Sequence, residues 1–94
     1  MNIPKLELSK REKEIIRLIA DDTYDVNNSS SDYSVLEHLE YLGVIKGIKG
    51  EFGAYFDVEL TSKSRAYLLE NPKLKDPSIW EDKKFWIGLL SNLL

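Results

Sequence analysis

The stretch Ser31 to Leu60, SDYSVLEHLEYLGVIKGIKGEFGAYFDVEL, decides the fold, because it holds a helix, its stop signal and a β-hairpin in unbroken succession. Val35, Leu36, Leu39 and Leu42 recur at i, i+1, i+4 and i+7, the stripe of a helix with one buried face. Ser34 and Glu37 have capping-box spacing, and Ser31 or Asp32 would serve equally as a cap one turn earlier. Gly43, directly after Leu42, can take the left-handed conformation that stops a helix. Val44 to Lys49 then reads as a strand, and Gly50-Glu51-Phe52-Gly53 as a turn with two positions open to positive φ. From Ala54 the pattern alternates. Phe56, Val58 and Leu60 are expected on one face and Tyr55, Asp57 and Glu59 on the other, the mark of a half-buried antiparallel strand.

Upstream of this stretch, Met1 to Leu8 is a short lead-in, with Pro4 resisting helix and Leu6 and Leu8 available to pack. Ser9 and Glu12 have capping-box spacing at the start of a first helix, whose apolar face is Ile15, Ile16 and Ile19 with Leu18 beside it. Lys10, Arg11, Lys13 and Arg17 against Glu12 and Glu14 give this helix a basic surplus, which reads most simply as a solvated face. Asp21 to Ser31, DDTYDVNNSSS, is polar and rich in turn formers. Tyr24 and Val26 alternate within it, so Tyr24 to Asn27 is expected to add a short third strand to the hairpin.

Downstream, Thr61 to Glu70 is a further helix with Thr61 or Ser62 as cap, Ala66 and Leu69 inward, and Tyr67 and Leu68 on its flanks. Asn71-Pro72 ends it. Residues 72–77 form an extended linker, and Ser78 with Glu81 has the spacing to cap a last helix. From Phe85 to Leu94 the apolar residues cover more than half of that helix, so something must cover them. The expected organisation is a domain over residues 1–71, the linker, and a C-terminal apolar helix over 78–94.

A chain of 94 residues makes one domain with a modest core. It is 43% hydrophobic and 31% charged, the balance of a globular protein and not of a disordered tail. No cysteine is present, so disulfides and thiolate chemistry are excluded, and a reducing cytoplasm fits. The opening MNIPKLELSK has no apolar run behind a basic start, unlike a secretory signal. A net charge of −3 gives no overall attraction to nucleic acid or anionic lipid, so any such contact needs a local basic patch.

With LEHLEYLGVIKGI over residues 36–48, the hairpin after it, and LTSKSRAYL over 60–68, the chain resembles a winged helix-turn-helix domain of bacterial-regulator type. The last segment is similar to the leucine-threonine-x-lysine-glycine entry to the helix after the wing, with Ser64 in the glycine position. The resemblance spans about residues 9–70 and implies an α+β fold with a small three-stranded antiparallel sheet. It also implies that the helix before the wing is a recognition helix, with Ser34, Glu37, His38 and Tyr41 outward and Lys46 and Lys49 on the wing. This is a reduced and acidic version of that pattern. Asp21 to Ser31 is short and polar where the family has a further helix, and residues 31–42 carry Asp32, Glu37 and Glu40 with neither lysine nor arginine. A helix so charged repels the duplex it would enter.

The residues offer no catalytic or metal constellation. His38 is the only histidine and has no second ligand at metal-binding spacing, and no cofactor is expected. Lys46, Lys49 and Phe52 make a basic strand with an aromatic tip, a feature suited to nucleic acid; lysines that guard a hairpin edge against aggregation explain it as well. Trp80, Phe85, Trp86, Leu89, Leu90 and Leu93 are the candidate partner surface. That face suits docking on its own domain, pairing with a second chain, or, through residues 83–94 with Lys83 and Lys84 at their mouth, lying on a membrane surface. The expectation is a non-enzymatic module that contacts protein and dimerises through its last helix. The alternative is a DNA-binding transcriptional regulator that uses Lys10, Arg11, Ser34, His38, Tyr41, Lys46, Lys49 and Phe52.

Overall fold

Ser9 and Glu12 start the first helix by satisfying each other's backbone. The Glu12 N–H donates to Ser9 Oγ (3.1 Å) and the Ser9 N–H to Glu12 Oε1 (2.9 Å), the reciprocal box expected from their spacing. In the computed structural model, which describes residues 8–50, 53–69 and 80–93, this helix, α1, runs Lys10–Ala20. A 3-10 turn follows at Val26–Asn28, then α2 (Tyr33–Leu42), β1 (Ile45–Lys49), β2 (Tyr55–Leu60), α3 (Ser62–Leu69) and α4 (Lys83–Leu93). Residues 72–77, the expected linker, and Ser78 lie outside the described residues, as do Leu6 and Phe52.

The structure is α+β with a two-stranded antiparallel sheet among the described residues; the third strand expected at Tyr24 to Asn27 does not form. A side chain takes its place. The buried Ser29 hydroxyl donates to the Tyr55 carbonyl (3.2 Å) and accepts from the Tyr55 N–H (3.1 Å). Both backbone groups of Tyr55 that face away from β1 are therefore satisfied without a ladder.

The alternation expected along β2 is also wrong by one residue at its start. Lys46 pairs with Glu59 and Ile48 with Phe56, so β2 carries one more residue than β1 between these pairs. This bulge centres on Asp57, whose φ of 51° is left-handed, and it inverts the side-chain parity. Tyr55 is consequently buried with Leu60, while Phe56 and its neighbour Ile48 face out.

Gly43 ends α2 with φ 84°, as its position suggests. Asp32 occupies the N-cap position of α2, yet its carboxylate makes no cap bond and is turned elsewhere. Thr61, not Ser62, caps α3. Its hydroxyl donates to the Gly43 carbonyl (2.6 Å) and accepts from Ser64 N–H (3.3 Å), which ties the end of α2 to the start of α3. With that proton committed to Gly43, the buried Ser64 hydroxyl is the donor to Thr61 Oγ1 (2.9 Å). Anchoring Ser64 inward turns Leu68 inward as well and leaves Ala66 exposed, where Ala66 was expected inward; the side chain of Leu69 lies outside the described residues.

The last helix begins at Lys83 with Asp82 as its cap, the carboxylate accepting from Lys84 N–H (2.9 Å). Its apolar face covers its own domain. Phe85, Trp86, Leu89 and Leu90 join Ile15, Ile16, Leu36, Leu39, Tyr55 and Leu68 in one buried cluster. Tyr67 of α3 donates to the Phe85 carbonyl (2.9 Å), and a Cβ on Gly88 would collide with Tyr67 Oη, so the glycine permits this approach. Trp86 Nε1–H donates to the Trp80 carbonyl (2.7 Å), and the rings of Trp80, Phe85 and Trp86 pack at centroid separations of 5.1–5.7 Å.

Ser29→Ala leaves two buried backbone groups of Tyr55 without a partner and should cost about 1–3 kcal/mol, read as a lower urea midpoint. An unchanged midpoint would show that the hydroxyl does not replace the missing strand.

Candidate interaction surface

Four α2 residues, Ser34, Glu37, His38 and Tyr41, recur at helical spacing and all face outward, as expected. Tyr41 is 86% exposed, the most exposed of the large apolar and aromatic side chains described. His38 is anchored from below: its Nδ1 lies 2.6 Å from Oε2 of Glu12, whose other oxygen closes the α1 cap. Glu12 is only 7% exposed, and an ionised carboxylate can only accept, so Nδ1 carries the proton and Nε2 is left for an external group.

The cations expected to surround this stripe are engaged or elsewhere. Lys49 sits between Glu37 (3.4 Å) and Glu40 (3.5 Å), both of α2. Desolvation lowers its pKa, but Tyr55, Glu37 and Glu40 more than offset that and raise it above the ordinary lysine value. Lys46 is on the other face of the hairpin, paired with Glu59 at 3.2 Å. Lys10 lies on the solvent side of α1 with Lys13 and Arg17. Arg11 is turned toward α2, where Nε and Nη2 take the two Asp32 oxygens at 3.0 and 2.6 Å and Nη1 takes Glu14 at 2.7 Å. Of the residues proposed for nucleic acid, the structure thus brings only Ser34, His38 and Tyr41 together, with Lys49 beside them bound to acids.

The side chains proposed as a partner surface turn inward. Trp80, Phe85, Trp86, Leu89 and Leu90 are buried against their own chain, Trp86 to 2% exposure, and Leu93 is half-buried. These side chains are covered intramolecularly, while Ile87 of the same helix stays 47% exposed. Among the described residues no helix is long and apolar enough to cross a membrane, and no group of three or more potential ligands is placed to hold a metal ion.

Sequence reasoning missed the group around Asp32. Besides Arg11, the Tyr24 hydroxyl donates to Asp32 Oδ2 (2.9 Å), so this mostly buried carboxylate joins α1, the connection after it, and α2. The Arg11 hydrogen bonds hold Asp32 below its ordinary pKa, against a desolvation that pushes it up, and Tyr24 adds to the lowering. Burial first, then the bond to Asp32, raises the Tyr24 phenol well above its ordinary value. No spacing marks these three residues, because each bond runs across the polar segment between α1 and α2. No family model, curated protein or solved structure matches the chain.

Because Asp32 is shifted down, its contribution is complete above about pH 4, where the unfolded side chain is ionised, and is lost as pH falls through the lower folded value. Thermal midpoints should therefore drop on acidification. Asp32→Asn should cost about 2 kcal/mol at neutral pH and flatten this acid limb; an acid limb of unchanged steepness would contradict the assignment.

Proposed function

We propose that the chain is a non-enzymatic binding module of winged-helix type whose α2 face, centred on Tyr41 and His38, contacts a protein partner. The order helix, short helical turn, helix, hairpin, helix supports the winged-helix reading, with the turn at Val26–Asn28 as a reduced second helix and Ser29 in the place of the first strand. The observation that carries the function is the charge around α2. Its one adjacent wing cation, Lys49, is held by Glu37 and Glu40, which leaves a tyrosine and an oriented imidazole among carboxylates. Phosphate neutralisation supplies nearly all nonspecific DNA affinity, and among the described residues the cations beside this face are paired with carboxylates. An exposed aromatic with a polar tip, beside groups that can donate and accept, suits a protein surface.

Random-sequence duplex DNA titrated at low salt should give no salt-dependent retardation; micromolar binding that weakens steeply with salt would return the regulator reading. Tyr41→Ala removes a side chain with few contacts and should leave folding stability within about 0.5 kcal/mol. A larger loss would mean that Tyr41 belongs to the fold and not to a contact surface.

A further inference from the structure

The basic surplus of α1 is not used by the α2 face, and it lines a separate groove. Among the described residues this groove, about 410 Å³, is lined by Lys10, Lys13, Glu14 and Arg17 of α1 and by Trp80 and Glu81, which lie just before α4. Lys10, Lys13 and Arg17 share one side of the helix, directly opposite the buried Ile15, Ile16 and Glu12. Two of the three cations are held in place. The Arg17 guanidinium carbon stands 5.7 Å from the centroid of the Trp80 ring, and Lys13 Nζ stands 6.0 Å from that of Trp86. Indole faces fix these side chains without neutralising them, whereas carboxylates do neutralise Arg11, Lys46 and Lys49.

We infer that this groove binds an acidic extended segment of a partner protein. The groove sets three cations against Glu14 and Glu81, a small positive excess on a chain whose net charge is −3. From Lys10 to Arg17 the helix rises about 10 Å, a length matched by about three or four residues of extended chain. Glu14 and Glu81 on its rim interrupt any continuous phosphate track but can accept from backbone N–H groups of a peptide. Duplex recognition, by contrast, buries on the order of 1,000 Å² and needs several phosphate contacts, more than this short stripe supplies. The groove does not include the α2 face, so the inference stands apart from the function proposed above.

The chain's two tryptophans both lie against α1, so their emission reports on the groove. A glutamate-rich peptide of about ten residues should change that emission saturably and weaken several-fold between about 50 and 300 mM salt. Lys10→Gln/Lys13→Gln should weaken binding about tenfold. Lys10→Glu, which alters neither cation–π contact, should weaken it in the same direction even if the double variant is poorly folded. No saturable change, equal affinity in Lys10→Glu, or tighter binding of random duplex DNA than of the peptide would overturn the inference. Failure of the peptide with no DNA binding leaves the α2 reading intact, whereas duplex binding removes both.

Discussion

The carboxylate of Asp32 is the point at which three stretches of chain are held to one another. Arg11 reaches it from α1 with two nitrogens, Tyr24 reaches it from the connecting segment, and Asp32 itself stands at the entrance to α2. Hydrogen bonds to charged groups contribute about 1.5–3 kcal/mol each way they are tested, several times an exposed ion pair such as Lys46–Glu59. The connection after α1 has no strand to fix its course. Its order rests on this carboxylate at one end and on Ser29, bonded to the Tyr55 backbone, at the other. With those two contacts in place, Leu36, Leu39, Ile15 and Ile16 share a single core with Phe85, Trp86, Leu89 and Leu90 of α4.

The same contacts decide the sign of the surface. Arg11 is withdrawn to Asp32 and Glu14, Lys49 is closed in by α2's own glutamates, and Lys46 faces Glu59 across the hairpin. What remains is a molecule of two unlike faces. One is the acidic α2 face, with Tyr41 and the imidazole of His38 steadied by Glu12. The other is the α1 stripe, where indole rings fix Lys13 and Arg17. A pairing of this kind is suited to contacts with other proteins, where short patches of either charge set register and specificity, more than to a polyanion that needs one long positive track.

Much of this was legible in the residues, and the failures have physical causes. The Ser9–Glu12 box located α1, helical spacing and Gly43 located the body and end of α2, and Thr61 the start of α3, while the same spacing placed Ser34, Glu37, His38 and Tyr41 outward. Tyr24 and Val26 read as a strand because alternation cannot show that a serine side chain will satisfy the strand edge instead. The parity of β2 is not legible because this bulge is made by a residue at positive φ, and Asp57 carries no glycine signal for one. The apolar width of α4 announced that a cover was needed. Amphipathic pattern does not say whose surface supplies it, and here the cover is α1, α3 and the core. The ion pairs were invisible for another reason: Lys49 to Glu37, Arg11 to Asp32 and His38 to Glu12 join residues 12, 21 and 26 positions apart, beyond any local periodicity.

The most direct measurement is a double-mutant cycle on Arg11→Met and Asp32→Asn, with folding free energies from urea denaturation at neutral pH. If this pair fixes α1 against α2, the coupling energy should be at least about 1.5 kcal/mol, above the range of an exposed ion pair. A coupling below about 0.5 kcal/mol would mean that Arg11 is in effect a surface cation. It would then be free to join a positive face, and the account of how this fold disposes of its charges would fail.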